Sequence, residues 1–287
     1  MTQQPLFANR TGVLATMHQK ERVIAPLLKQ ELGVNVTVPA NFNTDAFGTF
    51  TREVRRTGTQ IEAARLKAEK AIALTGETLG FASEGSFGPH PAVPYLPCNR
   101  EIVILLDKAR DLEIVGHHFS TDTNYSHQRV ASVEEAWKFA RGAGFPSHAM
   151  AVITGDPAEG KGEIIKGITA EKQLFDAVEF ALKKSPDGQA HIETDMRAMY
   201  NPTRMSNIEK ATLDLIDKIN SLCPKCSWPG FEVTERKPGL PCALCAFPTH
   251  LTRSAIYHCK KCGFSQEELF PDRRETADPA QCEYCNP

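Results

Sequence analysis

The stretch EIVILLDKA (residues 101–109) decides the fold class. Residues 102–106 are apolar without alternation, and a run of that length buried on both faces belongs in the centre of a sheet covered by helices on either side. Working outward, TGVLAT (11–16), VNVTVP (34–39), TLGFASE (78–84), LEIVGHHF (112–119), HAMAVITGD (148–156), EIIKGI (163–168) and AHIETDMR (190–197) read as further strands. Amphipathic helices separate them. Val23, Ile24, Leu27, Leu28 and Leu32 share one helical face before Gly33, and Ile61, Ala64, Ala68, Ala71 and Ile72 share another, with Glu62, Arg65, Lys67, Glu69 and Lys70 on its polar side.

Ser132 with Glu135 marks a helix start by a capping box, a helix covers 169–183, and Ser206 with Glu209 marks the start of a last helix carrying Ile208, Ala211, Leu215 and Ile219 inward. The sum is an α/β domain, a mixed sheet flanked by helices, over residues 1–221, followed by a small zinc-ribbon-type module over 222–287. The 287 residues carry 41% hydrophobic and 24% charged side chains and a formal net charge of -2. That balance argues against broad nucleic-acid wrapping and against an anionic-membrane footprint. No run of about 18 apolar residues offers a membrane span, and the N-terminus has no basic-then-apolar leader pattern, so a cytoplasmic protein is expected.

Eight of the nine cysteines form four Cys-x-x-Cys knuckles: Cys223/Cys226, Cys242/Cys245, Cys259/Cys262 and Cys282/Cys285. Eight thiols suffice for two tetrahedral zinc sites, and a stretch with few large apolar side chains gains much of its folding free energy from such metals. Sequential pairing leaves loops of 15 and 19 residues between knuckles, and nested pairing joins the second knuckle to the third across 13. The sequential arrangement is the expected one. A fully thiolate-ligated zinc has no open position for a substrate. The module is therefore either structural or a docking surface for protein or nucleic acid.

GDPAEGKG (155–162) approaches a phosphate-binding loop but ends on Gly162, where a hydroxyl is required, and precedes a strand instead of a helix. A hairpin accounts for it. His117 and His118 are adjacent in a strand and point to opposite faces, Asp195 and Arg197 share a strand face, and Cys98 reads as a packed thiol.

VLATMHQKERVIAPLL (13–28) resembles the opening of the inosine triphosphate pyrophosphatase and Maf-like superfamily, with Thr16, His18 and Lys20 near the positions of its Ala-Thr-x-Asn strand end and phosphate-binding lysine. GTQIEAARLKAEKA (58–71) resembles that superfamily's next helix, with Thr59, Glu62, Ala64, Lys67 and Ala68 in register. The asparagines are missing, and Gln60 and Ala63 depart from the pattern. ASEGSFG (82–88) then falls where the superfamily has an acidic, glycine-containing turn after a strand.

The resemblance covers residues 11–90. It implies a magnesium-dependent hydrolase of a nucleotide or related phosphate compound, with Glu84 and Glu53 as catalytic carboxylates. Thr16, His18, Lys20, Arg56 and Lys67 would bind the phosphorylated substrate, and Arg197 and Arg204, later in the chain and outside the resemblance, would close the site over it. SEGSFGPHP, ETDMRA and NPTRM also resemble an uncharacterised bacterial family that joins an α/β domain to a cysteine-rich tail. The rival reading is a non-enzymatic protein whose zinc module docks nucleic acid or protein.

Overall fold

Strand β3 (Leu79–Pro89) runs antiparallel to β4 (Pro97–Asp107) over their whole length, from Leu79 opposite Asp107 to Pro89 opposite Pro97. This corrects the sequence expectation at ASEGSFG. The segment is strand throughout, Glu84 lies in mid-strand, and the chain turns only after Pro89. The glycine at 85 serves packing: a Cβ there would stand 2.5 Å from the Glu101 carboxylate and 2.6 Å from the Arg204 guanidinium.

The computed structural model describes residues 6–40, 42–48, 58–155 and 162–287. It divides into two units, Met1–Ile216 and Asp217–Pro287. In the first, β1 (Thr11–Ala15), β2 (Asn35–Thr37), β3, β4 and β5 (Leu112–Ser120) form a five-stranded mixed sheet in the order β2-β1-β3-β4-β5. The β2, β1 and β3 pairings are parallel; β4 and β5 continue as an antiparallel meander.

Helix α1 (Glu21–Leu32) crosses from β1 to β2 and ends at Gly33, whose φ of 67° suits glycine. Helix α2 (Gln60–Thr75) starts in a Thr59/Glu62 capping box and leads into β3. Its Ala64, Ala68 and Ala71 pack on Ile102, Ile104 and Leu106 of β4. The other face of β4 carries buried Val103 and Leu105. Gly116, opposite Val103 on β5, lets the backbone of the last helix, α5 (Pro202–Asn220), come close at Leu215. The double-sided burial expected of EIVILL is met.

The remaining strands of this unit do not extend that sheet, contrary to expectation. β6 (His127–Val130), β7 (Met150–Thr154), β8 (Ile164–Ile168) and β9 (Ala190–Thr194) form a second, four-stranded antiparallel sheet in the order β6-β9-β7-β8. Helices α3 (Val133–Gly142) and α4 (Glu171–Lys184) pack on it, with Val130, Met150, Val152, Leu174, Val178 and Ile192 in the shared core. β7 and β8 pair antiparallel, so a strand follows residues 155–162 as expected, although 156–161 lie outside the described residues.

Helix α5 begins four residues before Ser206. The Asn201 side chain accepts from the Arg204 amide at 2.9 Å and Pro202 takes the first turn, so an Asn-Pro start outcompetes the Ser206/Glu209 box.

In the second unit, β10 (Glu232–Pro238), β11 (Thr252–His258) and β12 (Ser265–Leu269) make a three-stranded antiparallel sheet. Among the described residues, no helix is long and apolar enough to cross a membrane.

A polar cavity and two four-cysteine centres

Residues from both sheets of the first unit line one cavity of about 290 Å³. Lys20 reaches it from the start of α1, Lys67 from α2, Glu84 from β3, and Asp195 and Arg197 from the segment after β9. His18, Asp45, Tyr125, Lys166 and Glu193 also face it. Five of the sequence-derived site residues, His18, Lys20, Lys67, Glu84 and Arg197, therefore meet in one place although up to 179 positions separate them (18 to 197).

The chain enters this site through two successive left-handed residues, His18 (φ 63°) and Gln19 (φ 62°). Side chains with a Cβ avoid that region, and such residues cluster where a site dictates the backbone. His18 Nε2 lies 3.1 Å from Asp45 Oδ1, and burial keeps the imidazole below its usual range despite that carboxylate. Lys20 Nζ donates to Ser83 Oγ at 3.1 Å and to Ser83 O at 3.4 Å. Burial, followed by repulsion from Arg204 and Lys67, pushes its pKa down to about 7 against the pull of Glu84 and Glu101.

Lys67 forms an ion pair with Glu84, and both side chains are under a tenth exposed. The helical pattern had placed Lys67 on the solvent side of α2. Its inward position follows from the buried carboxylate that β3 presents, since an unpaired charge at that depth is costly. Arg197 pairs with Asp195 at 2.5 Å, and Asp195 also accepts the Gly167 amide at 3.0 Å. The two are near neighbours as expected, but β9 ends at Thr194, so the pairing is made in the segment that follows.

Other expectations for the site need correction. Thr16 is buried and its hydroxyl donates to the Met17 carbonyl at 2.9 Å, away from the cavity lining. Arg204 has no exposed side-chain surface and is not among the residues lining the cavity; it donates to Glu101 Oε1 at 2.9 Å and to the Met196 carbonyl, tying α5 to β4. Glu53 and Arg56 lie outside the described residues.

Sequence reasoning missed Lys166, read only as part of a strand, and Tyr125, Asp45 and Glu193. Glu193 had a usable signal, standing two residues before Asp195 in HIETDMR. The histidines disperse: His148 meets Thr203, His127 stacks on His191, and His90 packs on Phe119. Cys98 is buried, with its thiol 3.5 Å from the Pro89 carbonyl.

The eight tail cysteines form two groups of four, Cys223, Cys226, Cys259 and Cys262, and Cys242, Cys245, Cys282 and Cys285. Cys223 and Cys262 sulfurs lie 3.8 Å apart, as do those of Cys242 and Cys285; Cys226 to Cys259 and Cys245 to Cys282 are each 3.7 Å. A tetrahedron with metal–sulfur bonds of about 2.3 Å has edges of about 3.8 Å, so both groups are arranged to hold a metal ion of zinc's size.

The pairing is interleaved, first knuckle with third and second with fourth, and neither sequential nor nested. The hairpin explains it. Glu232 at the start of β10 stands opposite His258 at the end of β11, which sets the first knuckle beside the third. Seven residues of strand, roughly 20 Å, then carry the chain to the second knuckle. There Cys242 bridges to Ala277, bringing in the fourth.

Each knuckle closes the same way. The amides of Ser227, Ala246, Gly263 and Asn286 donate at 2.8–2.9 Å to the carbonyl of the first cysteine of their pair. CPKCSWP and CALCAFP thus repeat one local structure, each flanked by an isolated bridge, Leu222 to Pro229 and Pro241 to Pro248. His258 is no ligand; its Nδ1 lies 2.9 Å from Ser265 Oγ.

No curated protein matches the chain. A family model described as a domain of unknown function (DUF6671) matches residues 67–287, which include Lys67, Glu84, Arg197 and all eight paired cysteines, and the chain belongs to that family.

Proposed function

We propose that the first unit is an enzyme acting on a small phosphorylated compound, and that the second is a double-zinc module with a structural role. The observation that carries the first part is the meeting of Lys20, Lys67, Glu84 and Arg197 in one cavity. Basic groups held in a partly dry pocket suit a phosphate and the charge that grows on it during transfer. The volume, near the lower end for ligand pockets, suits a small molecule or the phosphate portion of a larger one.

Hydrolysis is the reaction this reading favours. Glu84 is the carboxylate that orients and deprotonates water, Lys67 positions it through their ion pair, and Arg197 meets the departing phosphate. Among the described residues only the cysteines gather as three or more metal ligands. A magnesium ion would therefore be held by one carboxylate or two, by water and by the substrate's own phosphates, a common arrangement for this ion.

For the second unit, four thiolates per site leave no position for a substrate. Docking is the second reading for this unit, and Leu244, Phe247 and Tyr284, which are 75%, 51% and 73% exposed beside the second cysteine group with the two rings stacked, are what support it.

The test is a screen of the zinc-loaded full chain for phosphate or pyrophosphate release from nucleotides and sugar phosphates, with and without added magnesium. At least one compound should turn over, with losses of tenfold or more in both Glu84→Gln and Arg197→Gln. Absence of turnover together with absence of phosphate binding by calorimetry would reject the enzyme reading.

A further inference from the structure

We propose that Lys20 is a nucleophilic amine that condenses with the carbonyl group of its substrate, making that substrate a small phosphorylated aldehyde or ketone. The inference rests on the reading of the cavity as a site for a phosphorylated compound and adds the chemical class of that compound.

Three features of the geometry carry it. Lys20 faces the cavity, yet the residue is only 7% exposed. Its hydrogen-bond partners among the described residues are the hydroxyl and carbonyl of Ser83, both uncharged. Glu84, the next residue along β3, is engaged by Lys67 instead. A lysine whose task is electrostatic pairs with a carboxylate or stays hydrated, whereas this one is desolvated and set against neutral oxygens. The left-handed pair His18 and Gln19 fixes the backbone that delivers it.

The charges around Lys20 come from four elements: Lys67 on α2, Glu84 on β3, Glu101 on β4 and Arg204 on α5, each felt at its ammonium. Burial with two cations nearby outweighs the two acids and leaves the pKa at about 7. Much of the amine is then uncharged at neutral pH, the form that attacks carbonyl carbon.

The chemistry balances without a further reagent. The amine nitrogen forms a bond to the carbonyl carbon, its two protons pass to the carbonyl oxygen, and that oxygen leaves as water, giving an imine. Glu84 is the proton carrier at hand in the same cavity, and Lys67, Lys166 and Arg197 are the other cations that line it and would face the phosphate.

The experiment traps the imine. Zinc-loaded full-length protein is incubated with glyceraldehyde 3-phosphate or dihydroxyacetone phosphate, reduced with borohydride and mapped by peptide mass spectrometry. The adduct should sit on Lys20 at ten times or more the level on exposed lysines such as Lys172 and Lys183. Lys20→Arg should abolish it while zinc content and circular dichroism stay unchanged. Should that variant misfold, wild-type protein supplies the second measurement: reductive methylation with labelled formaldehyde at limiting reagent should modify Lys20 first, with an apparent pKa near 7.

Adducts confined to exposed lysines, or a Lys20 that reacts last, would overturn the inference. Calorimetry with inorganic phosphate separates it from the reading beneath it. Phosphate binding without trapping removes the imine and keeps the phosphate site, and trapping without phosphate binding does the reverse.

Discussion

The ammonium of Lys67 on α2 and the carboxylate of Glu84 on β3 close into an ion pair with 6% and 8% of their side chains exposed. Removing one partner takes the opposite charge away from the other in a poorly hydrated place. Glu84→Gln or Lys67→Met alone should each destabilise the first unit by about 3–5 kcal/mol, and the double variant should cost less than the sum. Chemical denaturation of the four proteins measures this coupling, and strictly additive losses would show the pair to be uncoupled.

The interleaved cysteine pairing has a stoichiometric signature. Wild-type protein should carry two zinc ions per chain, and Cys226→Ser about one. Adding Cys259→Ser to Cys226→Ser should leave about one, because both serve the same ion; adding Cys245→Ser instead should leave none. Sequential pairing gives the opposite result for the two double variants, so metal analysis on the four proteins decides.

Gly85 stands where a Cβ would meet the buried Glu101–Arg204 pair. Neither charged group can move into solvent. Gly85→Ala should therefore destabilise the first unit by about 1–3 kcal/mol, as overpacking does. Thermal unfolding tests it, and a variant as stable as wild type would mean that the pair yields easily.

In the knuckles, Ser227, Ala246 and Gly263 hold φ of 56°, 59° and 71°. Only the third has the residue that this conformation prefers. Ser227→Gly and Ala246→Gly should stabilise the second unit by up to about 1 kcal/mol, and Gly263→Ala should weaken it by a similar amount. Competition for zinc against a chelator reads the difference, with unchanged affinity in all three counting against the account.

Lys20 links stability to pH. Its folded pKa of about 7 lies below the 10.5 of the free side chain, so between those values the unfolded chain binds the extra proton. Stability should rise with pH across that window, by at most about 1.4 kcal/mol per unit, and the cost should be constant below it. Lys20→Met should remove this slope. Trp137 fluorescence in a Trp228→Phe background follows the first unit alone; parallel pH profiles with and without Lys20 would refute the shift.

Much of this molecule is written locally. The unbroken apolar run at 102–106, the helix start at Ser132, whose side chain accepts from the Glu135 amide, and Gly33 as a stop each act within a few residues, and each appears where expected; the Thr59/Glu62 box that opens α2 is equally local. Local signals also mislead where two compete: Asn201-Pro202 started α5 ahead of Ser206, and the glycines of ASEGSFG suggested a turn inside an eleven-residue strand.

The sequence by itself determined that eight thiols stand in four knuckles, that a strand runs buried through 102–106, and that basic and acidic groups suited to a phosphate are present. Only the tertiary structure decided which knuckles share an ion, that Lys67 turns inward to Glu84, that Arg204 serves the core, and that β6 to β9 form a sheet of their own. The reason is range. Spacing and capping are fixed by bonds along the chain, whereas a pairing between residues 33 or 103 positions apart depends on strand register and on the cost of leaving a charge or a thiolate without its partner.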